Sequence, residues 1–259
     1  MHFHAPFLVA CLAAGACSTA WTQVTLKPDG QWRSLFTAGA NATSGNSNTT
    51  QLNAVGEGAR VTERDKLTVR GQANYGQVNG ATATQRYLLG SQYNRDISRH
   101  SFYFGSADLL RDRPANIDLR YSLAAGVGRH MRLDDIDNTF DISLGLGYTQ
   151  DRYMRTVQLL GQTRTDYGRT ELVMSEESNH KISDTTKLRQ RVALFPNLTD
   201  RGAYRALLDT GVSVAMTKSL SLTAGLSYRY DSDPGIGLPG VGLKKGDAAF
   251  VTGVSLRFD

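Results

Sequence analysis

Most of this 259-residue chain consists of stretches of about ten residues in which apolar and polar side chains alternate. Successive side chains of a β-strand point to opposite faces, so the alternation predicts strands with one apolar and one polar face. The stretch 140–148 is an example, with Phe140, Ile142 and Leu144 alternating with small or polar residues. A tilted strand needs about 9–11 residues to cross a bilayer. The repeated stretches therefore predict a transmembrane β-barrel.

The number of stretches supports this interpretation. We count about twelve, and an even number is typical of bacterial barrels. The predicted strands are 32–43, 49–61, 65–77, 84–95, 101–111, 117–131, 139–148, 165–177, 185–196, 203–216, 219–230 and 248–258. The predicted fold class is all-β, a transmembrane antiparallel up-and-down β-barrel of about 12 strands. No segment approaches the ~18 apolar residues of a transmembrane helix.

The connections between these strands are predicted to alternate in length. Compact polar turns follow even-numbered stretches, at 63–64, 96–100, 132–138, 179–184 and 217–218. Longer loops follow some odd-numbered stretches, notably 149–164 and 231–246. Short turns on the periplasmic rim and long loops on the exterior rim would produce this pattern.

The register of the stretch 84–111 is the least defined. If Tyr103 faces lipid, Phe102 and Phe104 face inward, and a β-bulge in this stretch is the alternative that would restore the alternation.

The first twenty residues have the features of a secretory signal. They contain no Asp, Glu, Lys or Arg, carry the apolar run 5–16 and end in small residues, which predicts cleavage near Ala20. Cys11 and Cys17 both lie in this segment, so the mature chain would have no thiol. The predicted organisation is a signal peptide (1–20), a periplasmic N-terminal segment (21–31) and an outer-membrane β-barrel (32–259).

Aromatic residues cluster near the predicted strand ends. Trp32, Tyr93 and Phe258 lie toward one rim, and Tyr75, Tyr148, Tyr204, Tyr228 and Tyr230 lie toward the other. This distribution predicts two interfacial girdles. The alternative is that aromatic residues simply favour strands. The last stretch also resembles the C-terminal aromatic signal that is recognised by the outer-membrane assembly machinery, although Asp259 follows Phe258.

Several local motifs, taken in order, carry a family resemblance. They are Trp32, Ser44-Gly45-Asn46-Ser47-Asn48-Thr49, Asp118-Leu119-Arg120-Tyr121, Gly126-Val127-Gly128, Asp233-Pro234-Gly235 and Lys244-Lys245-Gly246-Asp247. With them the chain resembles, from about Trp32 to Phe258, the salt-induced outer-membrane protein family, a domain of unknown function from Gram-negative bacteria. The resemblance implies an outer-membrane β-barrel, with no established substrate, catalytic residue or cofactor. The family's name indicates a response to osmolarity.

If the apolar face of each strand meets lipid, the other face lines the lumen and is rich in charge. The residues predicted to point inward are Arg70, Arg86, Arg120, Arg169, Lys187, Arg189, Arg191, Arg205, Arg229 and Arg257, with Glu57, Asp108, Asp118, Asp141, Glu171, Glu177 and Asp209. Basic side chains predominate in this set.

Part of this set forms a candidate functional site, a lumen charge track. It comprises Arg169, Glu171, Lys187, Arg189, Arg191, Arg205, Asp209 and Arg229. Left unpaired, Lys187, Arg189 and Arg191 would favour the passage of small anions. Paired with Glu171, Glu177 and Asp209, they would form a structural network. The limited room in a barrel of this size favours the network.

Catalysis is the competing class of function, because a membrane barrel enzyme acting on lipid or peptide needs a histidine or carboxylate beside a nucleophile. His100, His130 and His180 fall in or beside predicted periplasmic turns, which predicts solvated side chains. Asp231 and Asp233 are explained by turn chemistry rather than by a calcium site. We predict no enzymatic activity, no catalytic residue, no cofactor and no metal.

The net charge of +5 is spread along strands and turns, so no nucleic-acid partner is predicted. Predicted partners are outer-membrane lipid, lipopolysaccharide, the assembly machinery and small anions. Four basic residues are candidates for lipopolysaccharide phosphates: Arg111, Arg113, Lys244 and Lys245. The predicted function is a monomeric narrow pore or envelope-integrity protein in the cell outer membrane. The alternatives are a barrel enzyme and a soluble periplasmic β-sandwich.

Overall fold

The computed structural model describes residues 27–43, 48–135, 138–237 and 241–258. The predicted signal peptide, both cysteines and Asp259 lie outside the described residues. The strands are β1 Trp32–Thr43, β2 Thr49–Val61, β3 Asp65–Val78, β4 Ala81–Ser98, β5 Ser101–Asp112, β6 Ile117–Asp135, β7 Asn138–Leu159, β8 Gln162–Lys181, β9 Thr186–Pro196, β10 Tyr204–Ala215, β11 Leu220–Asp231, β12 Ile236–Gly237, β13 Val241–Gly242 and β14 Gly246–Phe258. Within the described ranges, no helix has the length and apolar character to cross a membrane.

The strands form one antiparallel sheet that closes on itself. Each long strand pairs with the next long strand along the chain, and β14 returns to pair with β1. β12 and β13 are two-residue strands in the connection from β11 to β14, and β12 pairs with the outer part of β7. The predicted 12-stranded antiparallel β-barrel is therefore confirmed. The alternative of a sandwich is wrong, because the long strands belong to a single closed sheet rather than to two stacked layers.

The two faces of the barrel differ in polarity as the alternation predicts. On β7, Ile142, Leu144 and Leu146 are exposed on the outer face. The inner face buries charged groups instead, among them Asp151 and Glu171. A barrel whose apolar side chains point outward has the surface that a hydrocarbon environment requires.

The two ends of the barrel have different connections. We call the end where β1 begins and β14 ends the terminal rim, and the opposite end the loop rim. Two-residue turns close β3–β4 and β7–β8 at the loop rim. In both, Asn79-Gly80 and Leu160-Gly161, the two residues have positive φ, as in a type I′ hairpin turn. Loops after odd-numbered strands are therefore not uniformly long.

The predicted long loop 149–164 is wrong. Its residues continue β7 and β8 into a hairpin that projects at the loop rim. Val157, Leu159 and Tyr167 are buried together in this hairpin, and Tyr153 packs against them. A strand that extends past the membrane has no lipid-facing side, so it lacks the apolar alternation by which the other strands were recognised.

In the stretch 84–111 the two phenylalanines take the inward direction that was expected if Tyr103 faces lipid. Phe102 and Phe104 point into the barrel, in regular register with Gly128 and Gly126 of β6. A Cβ atom added at Gly128 would overlap the ring of Phe102. The missing side chains on β6 therefore make the space that the two inward rings occupy. The register shift in this part of the sheet lies between Asp96 and Ser98.

Asp118 does not point into the lumen as predicted. A register shift between Ile117 and Leu119 interrupts the alternation at this position. Its carboxylate forms ion pairs with the exposed side chains of Arg111, at 3.4 Å, and Arg152, at 2.7 Å. The bulge thus moves one predicted lumen charge to the outer side of the loop rim.

Candidate functional site

The lumen contains a cavity of about 530 Å³ that extends to the loop rim. We call it the main cavity. Its walls come from most of the long strands and from the connection between β11 and β14, including Pro234 and Leu243. Its basic lining residues are Arg70, Arg86, Arg120, Arg169, Arg191, Arg205, Arg229, Lys244 and Lys245, and its acidic ones are Asp108, Asp112, Glu171, Asp209, Asp231, Asp233 and Asp247. The lining is therefore rich in charge and has a small excess of positive charge.

One wall of the main cavity holds a paired cluster, which we call the upper cluster: Arg120, Asp151, Arg169, Glu171 and Arg205. Arg169 donates to Asp151 at 2.9 Å and to Glu171 at 3.0 Å. Arg205 donates to Glu171 at 2.6 Å, and Arg120 donates to Asp151 at 2.7 Å. Both carboxylates are almost fully buried. Because buried ions need charged and hydrogen-bonded partners, this cluster is a structural network.

A second cluster, the cross-lumen cluster, lies nearer the terminal rim. Arg189 of β9 donates to Glu177 of the adjoining strand β8 at 2.9 Å, and to Glu57 of β2 at 3.4 Å. β2 and β9 lie on opposite sides of the closed sheet. The Arg189–Glu57 contact therefore spans the lumen and restricts its width.

A smaller cavity of about 40 Å³ lies beside this cluster and shares part of its lining with the main cavity. The side chains that line both are Arg70, Gln92, Ser106, Asp108 and Arg191. Arg70 pairs with Asp108 at 3.2 Å. Among the described residues, Arg191 has no hydrogen-bond or ion-pair partner. Within the part of the chain that the structure describes, Arg191 is thus a guanidinium without a partner that lines both cavities.

The predicted charge track is divided between these clusters. Arg169, Glu171 and Arg205 belong to the upper cluster, whereas Lys187, Arg189 and Arg191 follow one another along the inner face of β9. Glu177 pairs with Arg189 as the network interpretation expected. Glu171 instead pairs with Arg169 and Arg205.

Asp209 and Arg229 complete the track. Asp209 lies opposite Arg191 in the register, yet its carboxylate accepts a hydrogen bond from Ser227 at 2.5 Å. Arg229 lines the main cavity and, within the described ranges, has no ion pair or hydrogen bond. The track therefore combines paired charges with two guanidinium groups, those of Arg191 and Arg229, that have no partner among the described residues.

The ion-pair partners of two carboxylates in the site, Asp151 and Glu57, could not be predicted from the sequence. Asp151 fell in the predicted loop 149–164, so it was not among the expected lumen residues. Glu57 was expected in the lumen, but its contact with Arg189 joins positions 132 residues apart. No local pattern in the chain indicates such a contact.

The prediction of a solvated His130 is wrong. Its ring lies on the inner face of β6, with Nδ1 2.8 Å from Asp141 and Nε2 3.2 Å from Asp96. Phe102 lies against it, with ring centroids 4.7 Å apart. The described residues include no group of three or more His, Cys, Asp or Glu side chains placed to hold a metal ion.

Ion pairs outside the membrane-crossing parts lower the pKa of two carboxyl groups at the terminal rim. Arg33 donates to Asp29, before β1, and this hydrogen bond holds the pKa of the Asp29 carboxyl well below its usual range. In the turn after β8, Lys181 lies 2.8 Å from Asp184 and lowers the pKa of its carboxyl. Both groups stay ionised at neutral pH.

Among curated proteins, none matches this chain. Solved structures of similar fold include the NanC porin, with a TM-score of 0.47 and 12% identity over 86% of this chain and 100% of that one. The translocator domain of the autotransporter NalP from Neisseria meningitidis has a TM-score of 0.42 and 15% identity over 88% of each chain.

An anion-selective porin from Comamonas acidovorans has a TM-score of 0.39 and 9% identity over 88% of this chain and 99% of that one. The family described as "Protein of unknown function, DUF481" matches residues 36–253. The match covers most of the chain and nearly all of the barrel, and the protein therefore belongs to the DUF481 family.

Proposed function

We propose that the protein is an outer-membrane barrel that forms a narrow pore for small anions. The observation that carries the proposal is the position of Arg191, which has no partner among the described residues and lines both lumen cavities beside the Arg189–Glu57 contact. A fixed positive charge at a constriction raises the local concentration of anions and repels cations. Arg229 is a second lining guanidinium of the main cavity with no hydrogen bond or ion pair to any described residue.

The outer surface supports a location in the outer membrane. Exposed aliphatic side chains cover the outer face of the strands, as on β6 and β7. Exposed aromatic residues lie toward both ends, with Trp32 and Phe258 near the terminal rim and Tyr148 and Tyr228 nearer the loop rim. Export by a signal in residues 1–20 and insertion by the assembly machinery are parts of this proposal.

Conductance in planar bilayers tests the proposed pore. We expect refolded protein to conduct and to prefer chloride over potassium. Replacing Arg191 with Gln should lower that preference by several-fold, because it removes the unpaired charge at the constriction. Lys218→Gln is the matched control, since Lys218 is exposed in the turn between β10 and β11. An unchanged anion preference in the Arg191 variant would contradict the proposal.

A second candidate function is an envelope-integrity element that does not conduct. The Arg189–Glu57 contact favours it, because an ion pair across the lumen braces opposite walls and obstructs the path between them. If correctly folded wild-type protein shows no ion conductance in planar bilayers, the result would support this alternative over the pore.

The remaining functional expectations belong to the same proposal. The protein is a monomer and not an enzyme. Lys244 and Lys245, with Arg113, contact lipopolysaccharide phosphates at the loop rim, whereas Arg111 already pairs with Asp118. The salt response indicated by the resemblance to the salt-induced family would then concern anion passage at high osmolarity.

A further inference from the structure

We infer that the main cavity binds a small hydroxylated carboxylate between Arg191 and Asp209 on one side and Gln72 on the other. The inference deepens the proposed function, on which it rests for the route by which the ligand arrives. It names the class of solute that the lumen recognises.

Asp209 supplies the first polar contact. It is only 2% exposed, and its Oδ1 atom accepts the hydrogen bond from Ser227. Its Oδ2 atom is buried and accepts no hydrogen bond from any residue that the structure describes. A buried carboxylate oxygen is stabilised by a hydrogen-bond donor, so a ligand hydroxyl group that reaches Oδ2 gains a charge-assisted bond.

Arg191 supplies the anion contact beside it. It lies directly opposite Asp209 in the pairing of β9 and β10, and both residues line the main cavity. Because the two side chains form no ion pair with each other, the guanidinium offers its donors to a ligand carboxylate. The pair thus presents a cation and an acceptor at neighbouring positions.

Two further unsatisfied donors line the same cavity. Gln72 of β3 is 7% exposed, and its Nε2 atom has no hydrogen-bond partner within the described ranges. The Nη2 atom of Arg169 is likewise buried without one. β3 and β10 lie on opposite sides of the sheet, so a ligand that contacts both Gln72 and Asp209 spans the lumen.

These contacts define the ligand's chemistry. It carries a carboxylate for Arg191, hydroxyl groups that donate to Asp209, and oxygens that accept from Gln72. A net anion is favoured over a zwitterion by the excess of basic side chains around the cavity. The cavity volume of about 530 Å³ lies within the range of small-molecule sites.

Titration calorimetry of the detergent-folded protein tests the site with two probes of equal chain length. Gluconate carries a carboxylate and five hydroxyl groups, whereas hexanoate carries the carboxylate alone. We expect gluconate to bind at least about tenfold more tightly than hexanoate, the effect of one good charge-assisted hydrogen bond. Glucose, which lacks the carboxylate, should bind more weakly than gluconate.

The variants separate the two parts of the ligand. Asp209→Asn should weaken gluconate binding about tenfold and leave hexanoate unchanged, while Arg191→Gln should weaken both. Gln72→Leu is a second test in case Asp209→Asn does not fold, and Asp166→Asn in the projecting hairpin is the control. Equal binding of gluconate and hexanoate, or no gluconate binding at millimolar concentration, would overturn the inference.

Bilayer measurements distinguish this failure from failure of the pore. If the protein conducts chloride but does not bind gluconate, the pore proposal stands and the ligand-site inference fails. If the protein binds gluconate with the expected effects of the variants but shows no conductance in bilayers, the ligand-site inference stands and the pore proposal fails.

Discussion

Single residues decide how the inside of this barrel is filled. Alternation alone indicates that Phe102 and Phe104 face inward when Tyr103 faces lipid. It does not indicate that the interior accepts two aromatic rings, which depends on glycines that lie on other strands. A Cβ atom added at Gly126 would overlap the backbone of β7 at Leu144, and it would lie 2.8 Å from the ring of Phe104. The direction of the two rings could therefore be predicted from the sequence, whereas the space that holds them could not.

This arrangement predicts that Gly126 tolerates no side chain. Gly126→Ala should lower the free energy of unfolding by about 1–3 kcal/mol, because the added methyl group overpacks a contact that involves backbone atoms. Gly105→Ala is the matched control, since a Cβ atom there has nothing within 4 Å. That change should stay within about 0.5 kcal/mol. Urea unfolding in lipid vesicles measures both, and equal effects would contradict the packing argument.

The strands could be predicted as elements wherever they have one face toward lipid. All twelve long strands overlap a predicted stretch, because the outer face needs apolar side chains at every second position. The hairpin formed by the outer parts of β7 and β8 was missed, since water surrounds it and no such requirement acts there. Its stability comes instead from the buried contact of Val157, Leu159 and Tyr167.

One strand face departs from this rule. Glu176 of β8 lies opposite Ile142 of β7 and Val192 of β9, which are 41% and 39% exposed on the outer face. The side chain of Gln190 donates to its carboxylate at 3.4 Å. A carboxylate therefore lies within the apolar outer belt, where hydrocarbon would surround it.

Glu176→Leu should stabilise the barrel in a bilayer. A charged residue on the lipid face costs up to a few kcal/mol, and less for Glu than for Arg or Lys, so we expect a gain of about 1–2 kcal/mol. Glu63→Leu, in the exposed turn between β2 and β3, is the control and should show little change. Unfolding by urea in vesicles measures the difference. A loss of stability in the Glu176 variant would show that this face does not meet lipid.

At the scale of the whole molecule, closure of the sheet creates contacts that no local pattern contains. The alternation placed Glu57 and Arg189 on inner faces, and this much of the site could be predicted. Their pairing depends on the strand order around the barrel, which brings β2 and β9 to opposite sides of one narrow lumen. The same closure leaves Arg191 without a partner among the described residues, although Asp209 lies opposite it in the register.

The cross-lumen contact predicts how the two proposed functions differ. In Glu57→Gln the charge that holds Arg189 across the lumen is removed, so Arg189 should retract toward Glu177 on its own side. If the protein is a pore, single-channel conductance should rise, and Glu63→Gln should leave it unchanged. A double-mutant cycle of Glu57→Gln with Arg189→Gln should give a coupling energy of about 0.5–3 kcal/mol for unfolding. A coupling energy for unfolding, together with no conductance in either the wild type or the variant, would show that the contact braces the barrel. The protein would then be assigned to envelope integrity.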